Sequence, residues 1–297
     1  MPNEFLNPEK VAALAATLAA ADLGLTQHVY RDVASDFGQG VSGKTVQIRV
    51  PGVTTTGSRP VGSTENYVQG SLTETSIPVT LENEIYSSVP ITLDEADLEL
   101  KDFGAQVLRP QGQSVAHQID KAVADAMAAT SPEASIVYDS TNPRASLIRA
   151  RAVLRARGVN ANRALTAIVG ANVFADLAEA NVLEPAANGT YHVAGMAVVE
   201  NTLVSPYALY VMVKEAFVAA VRAPVPPHGA VTAASVTASG MALTHMIGLN
   251  IANGVSSSVL TAFVGVAPLP LAVANYESGS VDLVDGGGVV AVNTTGA

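Results

Sequence analysis

The chain has 297 residues and a formal net charge of −10, and it contains neither Cys nor Trp. The lack of Cys excludes disulfides and Cys-ligated metals, and the negative charge argues against a surface that binds nucleic acid tightly throughout. Hydrophobic residues make up 48% of the chain but aromatic residues only 5%, a composition that favours thin packed layers over a deep aromatic pocket.

The first predicted element is a helix that begins at Asn7-Pro8-Glu9, with Asn as the cap, Pro at the first helical position and an acid in the first turn. Apolar residues then share one stripe, at Val11, Leu14, Ala15 and Leu18. We predict a short helix on an N-terminal arm that is stabilised by packing on another element. No basic residue precedes this helix, so we expect no signal peptide.

Three strands are predicted next, around a long polar segment. Alternating residues mark strands at 45–50, 76–81 and 86–93, whereas 52–70 is rich in Gly, Thr and Ser. Loops of this length are uncommon inside compact domains and are usually functional. We therefore predict a long ribbon that lies on a neighbouring molecule, because an isolated ribbon is only marginally stable.

Helices dominate the middle of the chain. Residues 94–102 are acidic and helix-like, and 103–129 form a long helix that Pro110 and Gly112 are expected to break or kink. A further helix begins at Asn142-Pro143 and runs through Arg157.

The last part of the chain is predicted to be mainly β. A strand at 163–169 and a helix at 171–180 are followed by strands at 193–200, 208–213 and 216–221, and by short β runs across 231–292. No Asp, Glu, Lys or Arg occurs from Ala223 to Tyr276. Pro and Gly interrupt this stretch too often for a membrane helix of about 20 apolar residues, so short strands covered by other protein are the better interpretation.

Motifs for enzymatic chemistry are weak. Gly38 to Gly43 has the spacing of a dinucleotide fingerprint, but a strand follows it where a helix is required, so a tight turn is favoured. His117 and Asp120 are three residues apart on the long helix, which is more typical of a surface pair than of a catalytic dyad. None of the five His lies in metal-ligand spacing with another His. We therefore predict no catalytic residue, no metal site and no cofactor.

A group of arginines is the most informative charged feature. Six of them, with no acid among them, occur within twenty positions: Arg144, Arg149, Arg151, Arg155, Arg157 and Arg163. Arg144, Arg151 and Arg155 share one helix face. This face is a solvated surface, a contact with an acidic patch on another subunit, or a phosphate-binding surface. For the subunit contact, the candidate acids on the neighbouring copy are Asp94, Glu95, Asp97 and Glu99.

The order of these elements resembles the major capsid proteins of tailed bacteriophages, which have the α+β Hong Kong 97-type fold. The resemblance covers most of 7–229 and is strongest in the stretch from Gly189 to Asn201, followed by Lys214-Glu215-Ala216-Phe217 and a strand that ends at Arg222. It implies five parts: an N-terminal arm (1–43), an extended β-ribbon loop (44–93), a peripheral domain with a long spine helix (94–162), an axial domain core (163–222) and a β-rich C-terminal part that completes the peripheral sheet with a small extension (223–297).

The resemblance also implies a function. The chain would self-assemble as hexamers and pentamers into an icosahedral head around double-stranded DNA, with scaffolding, portal and decoration proteins as further partners and no membrane. It would be assembled in the host cytoplasm and would reside in the virion. Some family members crosslink their loops through Lys–Asn bonds, but 52–70 contains no Lys, so we do not expect that chemistry. The alternatives are a cargo-holding compartment of the same fold and a carboxylate–His hydrolase.

Three structural expectations follow from the resemblance. The ribbon should project from its own subunit and cover the next one. Residues 181–189 should meet at the centre of a ring of subunits. Deletion of the N-terminal helix should block assembly and leave the monomer folded.

Overall fold

The computed structural model describes residues 8–34, 41–42, 44–50, 57–67, 75–92, 103–186, 189–226, 232–250, 255–275 and 280–294. The chain divides into two compact units. Unit 1 consists of Met1–Gln47, Pro78–Ala124 and Ala219–Ala267, and unit 2 consists of Ile48–Ile77, Asp125–Val218 and Pro268–Ala297.

The α-helices are α1 (Pro8–Ala21), α2 (Arg109–Ala128), α3 (Pro143–Ala156) and α4 (Ala171–Glu179). Strands before α3 are β1 (Tyr30–Ala34), β2 (Val41–Ser42), β3 (Thr45–Val50), β4 (Thr75–Thr80), β5 (Asn83–Ile91) and β6 (Pro132–Val137). Strands between α3 and Arg222 are β7 (Thr166–Val169), β8 (Glu184–Pro185), β9 (Tyr191–Val193), β10 (Met196–Glu200), β11 (Leu209–Met212) and β12 (Phe217–Arg222). The remaining strands are β13 (Thr232–Ala238), β14 (Met241–Asn250), β15 (Val255–Pro268), β16 (Leu271–Asn275), β17 (Ser280–Val284) and β18 (Val289–Asn293).

The long central helix is confirmed, but Pro110 does not break it. A π-helical turn, Gly104–Leu108, leads directly into α2, and the amide of Arg109 donates to the carbonyl of Gly104 five residues earlier. Pro110 lacks the N–H that a helix interior needs. The π-helical turn just before it has wider hydrogen bonding, which accommodates the proline without ending the helix.

Unit 1 is a sheet with helices packed on one face. Among the described residues its strand order is β1-β12-β15-β14-β13, and β5 also pairs with β15. The core contains side chains from the sheet, such as Leu243 and Leu260, together with Val115 and Ile119 of α2 and buried residues of α1.

Helix α1 packs on other elements, as its apolar stripe predicted. Its Ala15, Ala16 and Ala19 are fully buried and belong to the core of unit 1. A Cβ atom added to Gly112 would lie 3.2 Å from the backbone nitrogen of Ala19, so the two helices approach closely where their side chains are small. Because α1 completes this core, its deletion should unfold unit 1 and cannot leave the monomer folded.

The three strands predicted around the polar segment are present, and two of them pair in one sheet. Strands β2, β3 and β4 form a three-stranded sheet in that order, and the alternate residues Val46, Ile48 and Val79 are buried. Strand β5, which the sequence placed in the same ribbon, instead pairs antiparallel with β15 along Asn83–Ile91. Its Ile85 is buried in the unit 1 core, which explains this pairing.

Unit 2 contains a mixed sheet, with the order β6-β18-β11-β7-β10-β9-β8 among the described residues. Strand β10 is parallel to β7, whereas β11 is antiparallel to it. The predicted strand at 193–200 is two strands, because Ala194 and Gly195 form a turn with φ of 51° and 75°. Positive φ at both central residues matches the twist of a tight hairpin.

The C-terminal strands contribute to both units. Strands β13, β14 and β15 belong to the unit 1 sheet, and β18 lies between β6 and β11 in unit 2. Strands β16 and β17 pair only with each other among the described residues, as a small antiparallel extension.

Candidate subunit-contact site

Helix α3 positions the arginine group. Asn142 caps the helix by accepting a hydrogen bond from the amide of Ala145 at 3.3 Å, and Pro143 follows as the first helical residue. Leu147, Ala150 and Leu154 are fully buried and form the apolar stripe of the helix. The apolar stripe therefore fixes which arginines reach the surface.

Two of the three predicted contact arginines are held by backbone carbonyls of their own unit. Arg151 donates to the carbonyl of Ala194, and Arg155 donates to the carbonyls of Asn160 and Arg163. Both side chains are half-buried, whereas Arg144 is exposed. Among the three, Arg144 thus has the side chain best placed to reach another molecule.

The other arginines meet acids that are distant in sequence. Arg157 forms an ion pair of 2.6 Å with Glu133 and donates to the carbonyl of Val289. Arg163 forms an ion pair of 3.2 Å with Glu215. Ion pairs that remain accessible to solvent contribute about 0–1 kcal/mol each, so the main effect of these two pairs is to orient the side chains.

Arg149 is exposed and lies near a carboxylate. Hydrogen bonds from Thr141 lower the pKa of the Asp139 carboxyl, and the positive charge of Arg149 adds to this effect. The proposed acidic partners Asp94, Glu95, Asp97 and Glu99 lie outside the described residues, so the pairing of the two surfaces stays a prediction.

A buried polar chain in unit 1 escaped the sequence analysis. His245 Nε2 lies 3.0 Å from Ser258 Oγ, and Ser258 Oγ donates to Gln111 Oε1 at 2.9 Å. Gln111 Nε2 donates to the carbonyls of Ser87 and Ser258 at 3.1 and 2.8 Å. Each polar side chain extends an apolar pattern: Gln111 precedes Val115, and His245 and Ser258 continue the alternation of their strands. A polar residue at a position that the apolar pattern marks as buried was the sequence signal that could have revealed this group.

The predicted pairing of His117 with Asp120 has no support. Asp120 is buried, and its carboxylate accepts hydrogen bonds of 2.6 and 2.7 Å from the amides of Gly24 and Thr26. It also accepts from the hydroxyl of Thr26, whereas His117 is exposed. Asp120 therefore fixes the turn after α1 instead of polarising an imidazole.

The described residues bring together no group of three His, Asp or Glu side chains that could hold a metal ion. A pocket of about 170 Å³ in unit 2 is lined by small and apolar residues, Tyr210 and Ala291 among them, and by no carboxylate or imidazole of the described chain. In the same residues, no helix combines the length and the apolar character needed to cross a bilayer.

Comparison with solved structures identifies the fold. A capsid structure of cyanophage P-SCSP1u matches with a TM-score of 0.54 and 12% identity, over 90% of this chain and 86% of that one. A capsid subunit of cyanophage A-1(L) matches with a TM-score of 0.52 and 14% identity, over 98% and 94%. The chain has the Hong Kong 97-type capsid fold. This confirms the fold class inferred from the order of the elements.

The same fold occurs in a virus-like particle from Pyrococcus furiosus, which matches with a TM-score of 0.52 and 9% identity over 96% of this chain and 98% of that one. No protein-family model matches the sequence, and no curated protein matches it. The likeness is therefore one of structure and is not accompanied by appreciable sequence identity.

Proposed function

We propose that this chain is the major shell subunit of a phage-type capsid. It assembles as hexamers and pentamers into a closed icosahedral head that encloses double-stranded DNA, and its role is structural and not enzymatic. The observation that supports this most strongly is the structural likeness to a phage capsid across 98% of the chain. Closed point-group symmetry is the usual way for identical subunits to form such assemblies.

The proposal includes location and partners. The chain resides in the virion and is assembled in the host cytoplasm, where scaffolding, portal and decoration proteins join it. DNA is held without sequence specificity. The net charge of −10 suits this role, since a strongly basic surface would bind nucleic acid before the shell closes.

Assembly of the purified chain tests the proposal. Sedimentation and negative-stain microscopy over a range of concentrations should reveal closed particles of uniform size, and particles from infected or expressing cells should contain nuclease-protected DNA. A chain that stays a compact monomer at high concentration, and forms no particles when co-expressed with its neighbouring genes, would rule out the shell function.

A cargo-holding compartment is the second candidate, favoured by the likeness to the Pyrococcus furiosus particle. The two candidates share the shell and differ in its content. Nuclease-protected DNA of uniform length supports the phage head, whereas particles that contain one co-purifying protein and no DNA support the compartment.

Two placements belong to the proposed shell. The ribbon formed by β3 and β4 covers the adjacent subunit, and residues 181–189 meet around the ring centre. The second is consistent with the position of β8 at the edge of the unit 2 sheet. Cysteine pairs introduced between these segments and candidate neighbouring surfaces should crosslink in assembled particles and not in free subunits.

We further propose that Arg144, with Arg151 and Arg155 beside it, contacts Asp94, Glu95, Asp97 and Glu99 of a neighbouring copy. Charge reversal by Arg144→Glu should reduce particle yield at least tenfold, and a second change, Asp97→Arg, should restore part of it. Lys214→Glu is the matched control, because Lys214 is exposed in the same unit but lies outside the arginine face.

The outcomes separate the three interpretations of this face. Normal particles from Arg144→Glu that have lost DNA indicate contact with phosphate. Normal particles with normal DNA content indicate a solvated surface and contradict the subunit contact.

A further inference from the structure

The chain of hydrogen bonds from His245 through Ser258 to Gln111 joins the long helix to two strands. Gln111 lies in the first turn and a half of α2, and its amide group donates to carbonyls of β5 and β15. These strands are antiparallel neighbours, with Ser87 opposite Leu260. One side chain therefore fixes α2 along both strands at once.

The direction of each hydrogen bond is determined by the chemistry of the groups. Only an NH₂ group can donate to the two carbonyls, so Gln111 Oε1 must face Ser258 and accept its hydroxyl proton. The Ser258 oxygen then accepts from His245, whose Nε2 carries the proton. The neutral imidazole is left with a bare Nδ1, which is buried and has no hydrogen-bond partner among the described residues.

We propose that the hydrogen bonds from His245 through Ser258 to Gln111 form an acid-opened latch between α2 and the unit 1 sheet. This latch holds the helix at neutral pH and releases it when His245 takes up a proton. A proton on Nδ1 would create a buried N–H donor and a net charge where the described residues provide neither an acceptor nor a counter-charge. The ring of Phe103 lies edge-on, 6.1 Å from the imidazole. An unpaired charge in such surroundings is strongly disfavoured.

The described charged groups on the elements around His245 are exposed or already bonded. In the same sheet, Asp32 of β1 forms an ion pair with Arg222 of β12. On α2, Arg109, His117 and Lys121 are exposed, and buried Asp120 is already bonded to Gly24 and Thr26. On β5, Glu84 and Tyr86 are exposed and alternate with Ser87, so they point away from the core. On α1, Glu9 and Lys10 are exposed. Strands β13 and β15 contain no charged side chain, and His245 is the sole titratable residue of β14.

The expected pH window follows from the buried position. Burial lowers the pKa of His245 from 6.5 to about 4. An opened state, with the imidazole in water, binds protons at the ordinary pKa of about 6.5. The opened state thus binds more protons between these two values, so the latch has its full stability above about pH 6.5 and loses it as the pH falls toward 4.

The first test is an NMR titration of the imidazole protons in the full-length protein. The resonance of His245 should show the Nε2–H tautomer, and the imidazole should remain neutral down to about pH 5. A His245 resonance that titrates near pH 6.5 with the protein still folded overturns the latch.

The second test is amide hydrogen exchange at pH 7 and pH 5, corrected for the intrinsic pH dependence of exchange. The equilibrium constant for opening of the first turns of α2 and of β14 should be roughly 20-fold larger at pH 5 than at pH 7, as two-state proton linkage predicts. The variant His245→Gln keeps an amide donor toward Ser258 and cannot titrate, so its opening should change less than threefold. The control His117→Gln removes an exposed imidazole from α2 and should retain the full 20-fold response.

A 20-fold response that persists in His245→Gln overturns the proposal, since another group must then sense the acid. If His245→Gln does not fold, the NMR titration of the unmodified protein alone decides. Both measurements can be made on free subunits, so failure to assemble tests the shell function and leaves the latch to be judged separately.

Discussion

Helix α2 in unit 1 and helix α3 in unit 2 both direct polar side chains to backbone carbonyls, but the groups are neutral on α2 and charged on α3. On α2, the neutral Gln111 is buried and reaches two strand carbonyls through its amide. On α3, the charged Arg151 and Arg155 reach carbonyls from positions that are only half-buried.

The difference shows what each environment tolerates. A neutral amide can be buried at little cost once all its groups are bonded, so α2 can lie close to the sheet. The guanidinium groups of Arg151 and Arg155 keep their charge and lie at half-buried positions, where water remains near them. Unit 1 should accordingly be sensitive to any charge placed in its core, and unit 2 to changes in backbone packing and helix capping.

The largest loss of stability is expected from a charge placed on the buried face of α1. Ala16→Glu would bury a carboxylate at a fully buried position, and it should cost more than about 4 kcal/mol of unfolding free energy. Urea unfolding of the full chain, followed by hydrogen exchange in both units, measures this loss. Leu14→Glu is the control, because Leu14 is exposed on the same helix; equal losses in the two variants would show that α1 does not belong to the core.

A smaller effect is expected from a single methyl group in unit 2. A Cβ atom on the buried Gly170 would overlap the carbonyl groups of Ser205 and Pro206, so Gly170→Ala should destabilise the protein by roughly 2–3 kcal/mol. Thermal and urea unfolding provide the measurement. Gly248→Ala, where no atom lies within 4 Å of the added Cβ, should change stability by less than about 0.5 kcal/mol. Similar values for the two variants would contradict the close packing at Gly170.

The smallest effect is expected at the start of α3. Asn142→Ala removes the side chain that accepts from the amide of Ala145, and it should cost about 1 kcal/mol. Asn142→Asp keeps an acceptor and should retain most of the stability. If the alanine variant unfolds at the same urea concentration as the unmodified protein, the cap does not stabilise α3.

Several elements could be predicted because their signals are local. The start of α1 at Pro8, the strand Thr45–Val50 and the helix after Asn142 were all identified from caps and periodicity, and the structure confirms them. The hairpin turn at Ala194-Gly195 was missed because the flanking residues on both sides have a uniformly strand-like composition.

Partners across long distances could not be predicted in the same way. Alternation identifies β5 as a strand but does not specify β15 as its neighbour, because the pattern defines a buried face and leaves the pairing edge open. The stripe of α1 likewise indicates that something covers it, and the covering residues come from α2 and the unit 1 sheet.

The arginine group shows the same division. The sequence reveals a cluster without nearby acids, yet Glu133 and Glu215 come from other elements to pair with Arg157 and Arg163. Arg144 remains exposed on the helix face that the spacing predicted.

By itself, the sequence determined the order and type of the elements, and through that order the capsid fold. These properties depend on caps, turns and periodicity, which act within a few residues. The tertiary structure alone decided that α1 belongs to a core, that β5 joins a second sheet, and that Gln111, Ser258 and His245 form one buried chain. Such contacts depend on side chains far apart in sequence, and they arise only when folding excludes water from all of them together.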